Sequence, residues 1–241
     1  MNSLTSIPLV IAHRGNSSEA LENSLEAIHR ALALPADMIE LDIRKSRDNA
    51  LYVMHDKRTA RTARTNIDLE RSPSSEIAGI KLNNGEAIPT LTDVVRTVAG
   101  KAGLNLEIKS DGAGLRVAEY LASSDYRGYV LVSSYKEDEV LAVRRILPAL
   151  PVSLIFNVFA ARDVRSYGSK GYRIISLRKM TASAKLIDAC HEQGLQVYVW
   201  TVDGEDEMRK FISWGVDGIY SNRPGVLKGI VNAERGTGNA E

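Results

Sequence analysis

Two short runs carry acids in a pattern that packing alone does not require. In MIELDI, residues 38–43, Ile39, Leu41 and Ile43 alternate with Glu40 and Asp42. Successive strand residues face opposite sides, so both carboxylates share the face turned away from the apolar set. LNLEIK at 104–109 repeats the parity, with Leu104, Leu106 and Ile108 on one side and Asn105, Glu107 and Lys109 on the other. If the apolar faces pack on helices, Glu40, Asp42 and Glu107 converge on one interior. Gathering three carboxylates there costs on the order of several kcal/mol unless positive charge compensates, because burial and mutual repulsion both oppose ionisation. A divalent cation answers that need. All-oxygen ligation favours Mg²⁺, Ca²⁺ or Mn²⁺ over zinc. The competing reading is a ring of salt bridges with Lys109 and Arg14.

Two of the four histidines stand where strands end. His13 and Arg14 close the run LVIA at 9–12, and His55 with Asp56 closes LYVM at 51–54. Imidazoles at the carboxyl ends of parallel strands read as catalytic, and a pair of them suits one general base and one general acid near neutrality. Asp56 is a candidate to orient His55, although adjacent strand residues normally face opposite sides. His29 and His191 fall inside helical patterns and read as surface residues.

The elements that must position these groups alternate along the whole chain. Beyond the four runs already named, strand-like runs occur at 129–133, 152–156, 173–177, 195–200 and 218–221. Helical patterns between them cover 24–34, 91–99, 114–123, 136–147, 182–193 and 204–214, with ends marked by Gly100, Pro148, Gly194 and Gly215. Such alternation predicts parallel strands joined by right-handed crossovers. Eight repeats in 241 residues favour closure into a TIM (β/α)8 barrel, an α/β fold in a single domain. The run at 51–54 is surplus to eight and is expected as an extra strand or extended loop after strand two. Residues 56–90, with RTARTN and LNNGEAIPT, are expected to form an excursion over the barrel mouth. The barrel domain is placed at 1–230 and a flexible polar tail at 231–241.

The ordered motifs HRG (13–15), EN (22–23), ELD (40–42), HD (55–56), IPTL (88–91), LEIK (106–109), VWTV (199–202) and DGIYSNRP (217–224) resemble those of the glycerophosphodiester phosphodiesterases. The resemblance spans residues 10–224. It implies a barrel of the phospholipase C-like phosphodiesterase type, with one divalent cation held at Glu40, Asp42 and Glu107. It further implies His13 and His55 as the acid and base pair, Arg14 and Lys109 on the phosphate, and Trp200 at the glycerol-side wall. Glu22 and Asn23 are expected to support His13 or its loop, with Asn23 alternatively the cap of the first helix. The implied reaction splits a glycerophosphodiester into an alcohol and glycerol 3-phosphate. Attack is either by the glycerol 2-hydroxyl through a cyclic phosphate or by water directly. Three positions depart from the family pattern: Leu21 where a proline is usual, Asn222 where an aspartate is common, and Tyr135 where a phenylalanine is common. These alter the walls, so a sugar phosphodiester or lysophospholipid is an alternative substrate.

Composition limits the partners. Lys and Arg total 31 against 30 Asp and Glu, a net charge of +1, so no global field recruits nucleic acid. The apolar stretch 7–12 is too short to span a membrane and has no basic leader. The single cysteine, Cys190, forms no internal disulfide, and a cytoplasmic protein is expected. The resemblance implies a small-molecule phosphodiester as partner, and no membrane insertion is expected. Outward helical faces show no apolar seam, so the sequence sets no oligomeric state. Two other classes compete: a metal-dependent lyase or enolising barrel using Lys109 as base, and a noncatalytic phosphodiester-binding barrel. An enolising site has no need of His13 beside an anion clamp.

Overall fold

A computed structural model describes residues 7–34 and 36–237. Nine strands form one sheet: β1 (Leu9–His13), β2 (Met38–Lys45), β3 (Leu51–Val53), β4 (Gly103–Ile108), β5 (Val130–Ser134), β6 (Val152–Phe156), β7 (Ile174–Arg178), β8 (Gln196–Trp200) and β9 (Gly218–Ser221). All except β3 run parallel, and the β1 pairings with both β2 and β9 close eight of them into a barrel. The surplus strand β3 lies antiparallel against the end of β2, Ile43 opposite Val53.

Helices wrap the ring: α1 (Leu25–Ala33), the single turn α2 (Ser74–Ile77), α3 (Leu91–Val98), α4 (Ala113–Ser123), α5 (Glu137–Ile146), α6 (Ala161–Ser169), α7 (Ala184–Glu192), α8 (Glu205–Ser213) and α9 (Pro224–Thr237). Ser24 starts α1 by accepting from the Ala27 amide at 3.1 Å. Thr90 and Asp93 close a capping box on α3, which ends where Ala99 turns left-handed at φ 47°. Helices α6 and α9 were not among the expected patterns. Pro224 opens α9 at the position where a missing amide hydrogen costs least. The polar tail expected from 231 does not begin there. Helix α9 runs on to Thr237 with Leu227, Ile230 and Val231 all buried, so apolar spacing carries the helix past that point. Residues 238–241 of that tail lie outside the described residues.

The parity of the acidic strands holds. Ile39, Leu41, Ile43, Leu104, Leu106 and Ile108 belong to the layer between strands and helices. Each fully buried Leu or Ile contributes about 1.5–3 kcal/mol, and a one-residue slip in β2 would turn Ile39, Leu41 and Ile43 into the barrel interior and press Glu40 and Asp42 against the apolar helix layer. A second apolar cluster, including Ile11, Met38, Ile174 and Tyr220, fills the barrel interior.

Residues 56–90 have a small core of their own, in which Leu69, Ile77, Ile80, Leu82 and Ile88 pack with Tyr52 and Met54 of the β3 region. The Glu86 carboxylate accepts from the amides of Leu25 and Glu26, at 2.9 and 3.1 Å. That contact ties the segment to the first turn of α1, at the face where parallel strands end. Among the described residues no helix is long and apolar enough to cross a membrane.

Candidate active site

Register brings the chemistry-bearing residues together: His13 pairs with Glu40 across β1 and β2, and Asp42 with Glu107 across β2 and β4. Carboxylate oxygens of Glu40, Asp42 and Glu107 lie within 4.8 Å of one another. Glu40 and Asp42 are each 1% exposed. The Arg14 amide donates to Glu40 Oε2 at 2.9 Å, while Glu40 Oε1 is buried with no hydrogen-bond partner. Asp42 is held by Asn23, whose Nδ2 donates to Oδ2 at 2.8 Å and whose Oδ1 accepts from the Asp42 amide at 3.2 Å. Arg14 Nε and Lys109 Nζ stand 3.1 and 3.3 Å from Asp42 oxygens, and Lys109 Nζ reaches Glu107 Oε1 at 2.6 Å.

Charge in this cluster is unevenly shared. Burial and repulsion from Asp42 push the Glu40 carboxyl up to about 8 and the Glu107 carboxyl up to about 7. Burial would raise Asp42 too, but Arg14 and Lys109 outweigh it and hold that carboxyl below its ordinary value. The set fits a hard divalent cation: all donors are oxygen, two buried oxygens, Glu40 Oε1 and Asp42 Oδ1, have no hydrogen-bond partner, and two carboxyls are raised toward protonated forms whose protons a cation would displace.

A stability profile follows from these shifts. Without metal, folded Glu40 and Glu107 keep protons that the unfolded chain loses near 4.5, so stability falls as pH rises toward about 7 and about 8. His13 and His55 act oppositely around and below their ordinary 6.5, because burial lowers both, and their opposing slope fades within about one pH unit above it, where the two carboxyls outweigh them. The chelator-treated protein should therefore lose melting temperature between pH 6.5 and 8, and saturating Mg²⁺ or Ca²⁺ should remove the loss. A melting temperature that is flat or rising across that window without metal would contradict the assignment.

Both imidazoles are fixed through Nδ1. Asn222 Nδ2 donates to Asp203 Oδ2 at 2.8 Å, which turns Asn222 Oδ1 toward His13 Nδ1 at 2.7 Å. An amide oxygen only accepts, so Nδ1 carries the hydrogen and the Nε2 lone pair of neutral His13 stands 3.9 Å from Glu40 Oε2. Asp56 Oδ1 accepts from His55 Nδ1 at 2.7 Å. The strand objection to this pair does not apply, since β3 ends at Val53 and both residues follow in a bend.

His13, His55, Glu40, Glu107, Lys109 and Trp200 line one cavity of about 130 Å³, as does Arg14. Trp200 meets Tyr135 edge-on at 6.0 Å, and Lys109 Nζ lies 5.6 Å from the Tyr135 ring centre. Asp42, Glu22 and Asn23 are not in the cavity wall. Of the two supports expected for His13 or its loop, both touch the loop at Arg14 rather than the imidazole: Glu22 accepts from Arg14 Nη1 at 2.9 Å, and the Asn23 amide donates to the Arg14 carbonyl at 3.0 Å while its side chain holds Asp42. Asn23 does not cap α1, a place taken by Ser24; at φ 58° its left-handed backbone frees the side chain to reach inward. His29 and His191 are exposed. Missed altogether were the roles of Asn222, noticed as a departure yet orienting His13, and of Arg61, which binds Glu22 and Asp56. Long-range pairing hid both. Asn222 lies 209 residues from His13 and Arg61 lies 39 from Glu22.

A sequence model of the glycerophosphoryl diester phosphodiesterase family matches residues 13–226. A glycerophosphodiester phosphodiesterase of Caldanaerobacter subterraneus subsp. tengcongensis is 31% identical, covering 92% of this chain and 97% of that protein. A lysophospholipase D of Mus musculus is 23% identical, with coverages of 92% and 85%. In fold, an Oleispira antarctica phosphodiesterase in complex with the product sn-glycerol-3-phosphate superposes with a TM-score of 0.86 at 22% identity, over 94% and 97% of the two chains. A glycerophosphodiester phosphodiesterase of Agrobacterium tumefaciens superposes with a TM-score of 0.78 at 25% identity, over 92% and 99%.

Proposed function

Since the chain belongs to the glycerophosphoryl diester phosphodiesterase family, we propose that this phosphoric diester hydrolase cleaves a glycerophosphodiester to an alcohol and glycerol 3-phosphate with His13 and His55 as its proton carriers. The observation that carries the reading is that two Nδ1-anchored histidines, two cations and the carboxylates of Glu40 and Glu107 line one small cavity, with the buried Asp42 carboxylate within 4.8 Å of both acids.

Glu40, Asp42 and Glu107 would hold one divalent cation, Mg²⁺ or Ca²⁺ with Mn²⁺ also suited. When bound, it supplies Lewis-acid stabilisation of phosphoryl oxygen charge. Arg14 and Lys109 stand in reach of the same oxygens and neutralise the charge that grows on them as the phosphorus is attacked. One imidazole takes the proton of the attacking oxygen through Nε2, and the other delivers a proton to the departing alkoxide; the attacker is water, or the glycerol 2-hydroxyl with water then opening the cyclic phosphate to glycerol 3-phosphate. Trp200 and Tyr135 form an apolar wall that orients the organic half of the diester.

Glycerophosphocholine incubated with the protein and a divalent ion should release choline and glycerol 3-phosphate. Failure to release any alcohol from a panel of phosphodiesters would sink the hydrolase reading for these substrates. One observation favours a panel member with a long apolar chain on its glycerol half. Val158 and Met180 are 82% and 77% exposed on loops joined by the Thr181 hydroxyl donating to the Asn157 carbonyl at 2.7 Å. The second loop also touches the Trp200 backbone through the Lys179 amide, at 2.9 Å. A lysophospholipid would cover this lip; a sugar phosphodiester would leave it bare.

A further inference from the structure

Arg61 opens the run RTARTN, which the catalytic reading leaves unused. It ends the 3-10 turn Thr59–Arg61 in the segment outside the barrel, yet its guanidinium is fully committed toward the site. Nη1 and Nη2 each donate to one oxygen of Glu22 at 2.7 Å, and Nε donates to Asp56 Oδ2 at 2.6 Å. Both acids pass that contact on. Glu22 Oε1 also accepts from Arg14 Nη1 at 2.9 Å, and Asp56 Oδ1 accepts from His55 Nδ1 at 2.7 Å. A continuous chain of charge-assisted hydrogen bonds thus runs from His55 through Asp56, Arg61 and Glu22 to Arg14.

We infer that Arg61 is a positioning residue which sets the His55 imidazole and the Arg14 guanidinium together from outside the barrel. The inference rests on the roles proposed for His55 and Arg14. Its side chain is 48% exposed, where an ordinary ion pair contributes little to stability. Geometry is what distinguishes it. A planar fork that holds one carboxylate with two parallel bonds and a second through Nε fixes the rotation of both acids at once, which a point charge cannot do. Asp56 only accepts, so its fixed orientation keeps the hydrogen on His55 Nδ1 and leaves Nε2 for the reaction. Glu22, held from one side by Arg61, fixes Arg14 Nη1 while Arg14 Nε faces Asp42 Oδ2 at 3.1 Å, so the guanidinium is held between the two acids along the cavity wall.

The test is a set of variants, Arg61→Ala, Arg61→Lys, Glu22→Gln and Asp56→Asn, with the doubles R61A/E22Q and R61A/D56N. Arg61→Ala should lower kcat about 10-fold and weaken glycerol 3-phosphate binding about 10-fold, the size expected from modest misplacement of reacting groups. Asp56→Asn should reproduce the kcat loss and Glu22→Gln the binding loss. Each double should then be no worse in that parameter than its worse single, because the arm is already cut. Lys at 61 should not restore either, and as a folded, charged variant it supplies the same reading if the alanine protein is unstable. Nitrogen-15 spectra of the histidines should show His55 losing its fixed Nδ1–H tautomer in Arg61→Ala. Product binding and the tautomer are readable without turnover, so a wild-type protein that cleaves no diester would defeat the proposed function and leave this inference standing on its own test. Wild-type kcat, affinity and tautomer in Arg61→Ala would overturn it, as would fully additive losses or an effect confined to melting temperature.

Discussion

Replacing His13 by Gln is expected to lower kcat by about 10²-fold or more while leaving the fold intact, because it removes a proton carrier and little packing. His13 sits at the end of β1 with its ring partly exposed to the cavity, and a glutamine amide can still donate toward Asn222 Oδ1. What it cannot do is cycle a proton near neutrality. The comparison variant is His29→Gln, on the exposed face of α1, which should behave as wild type. Activity for His13→Gln within a few-fold of wild type would reduce His13 to a structural residue and overturn the two-histidine reading.

The second large effect belongs to the acids. Exhaustive chelation is expected to reduce turnover by about 10³-fold or more, with Mg²⁺ or Ca²⁺ restoring it, since charge on the transferring phosphoryl group is the main barrier to be lowered. Glu107→Gln should give a comparable loss that added metal does not restore at ordinary concentrations. Its carboxylate is one of three that converge within 4.8 Å, and the variant also leaves Lys109 without its 2.6 Å partner. Activity that survives chelation would instead leave Arg14 and Lys109 to stabilise the phosphoryl group alone, with the acids reduced to partners of those cations.

Strand parity was readable because it is local: Glu40, Asp42 and Glu107 followed from alternation with neighbours two positions away, and the register across β2 and β4 set them side by side. His13 and His55 were readable from their place at the ends of apolar runs. Residues whose roles arise from distant pairing were not. Asn23 looked like a helix cap because its left-handed backbone, which turns the side chain to Asp42, leaves no mark in residue type. Asn222 reads as a polar loop residue until β9 closes against β1 and sets it on His13. Helix α6 carries charged and small residues with only Val164 fully buried, so its apolar stripe is too thin to register as a pattern. The family resemblance supplied roles for Arg14, Lys109 and Trp200 that spacing alone could not.

The barrel divides its labour by sequence half. Every proposed proton carrier, acid and cation lies between His13 and Lys109, on β1, β2, β4 or the connections that follow β1, β3 and β4, whereas Tyr135, Trp200, Val158 and Met180 come from β8 and the connections after β5, β6 and β7. These later connections join separate helical crossovers, so substitutions there can reshape the mouth without shifting the register that gathers the acids. On the proposed roles, such a chain can drift from one diester to another by small steps, because most of the residues that would set selectivity and those that would react are inherited from different stretches of the gene.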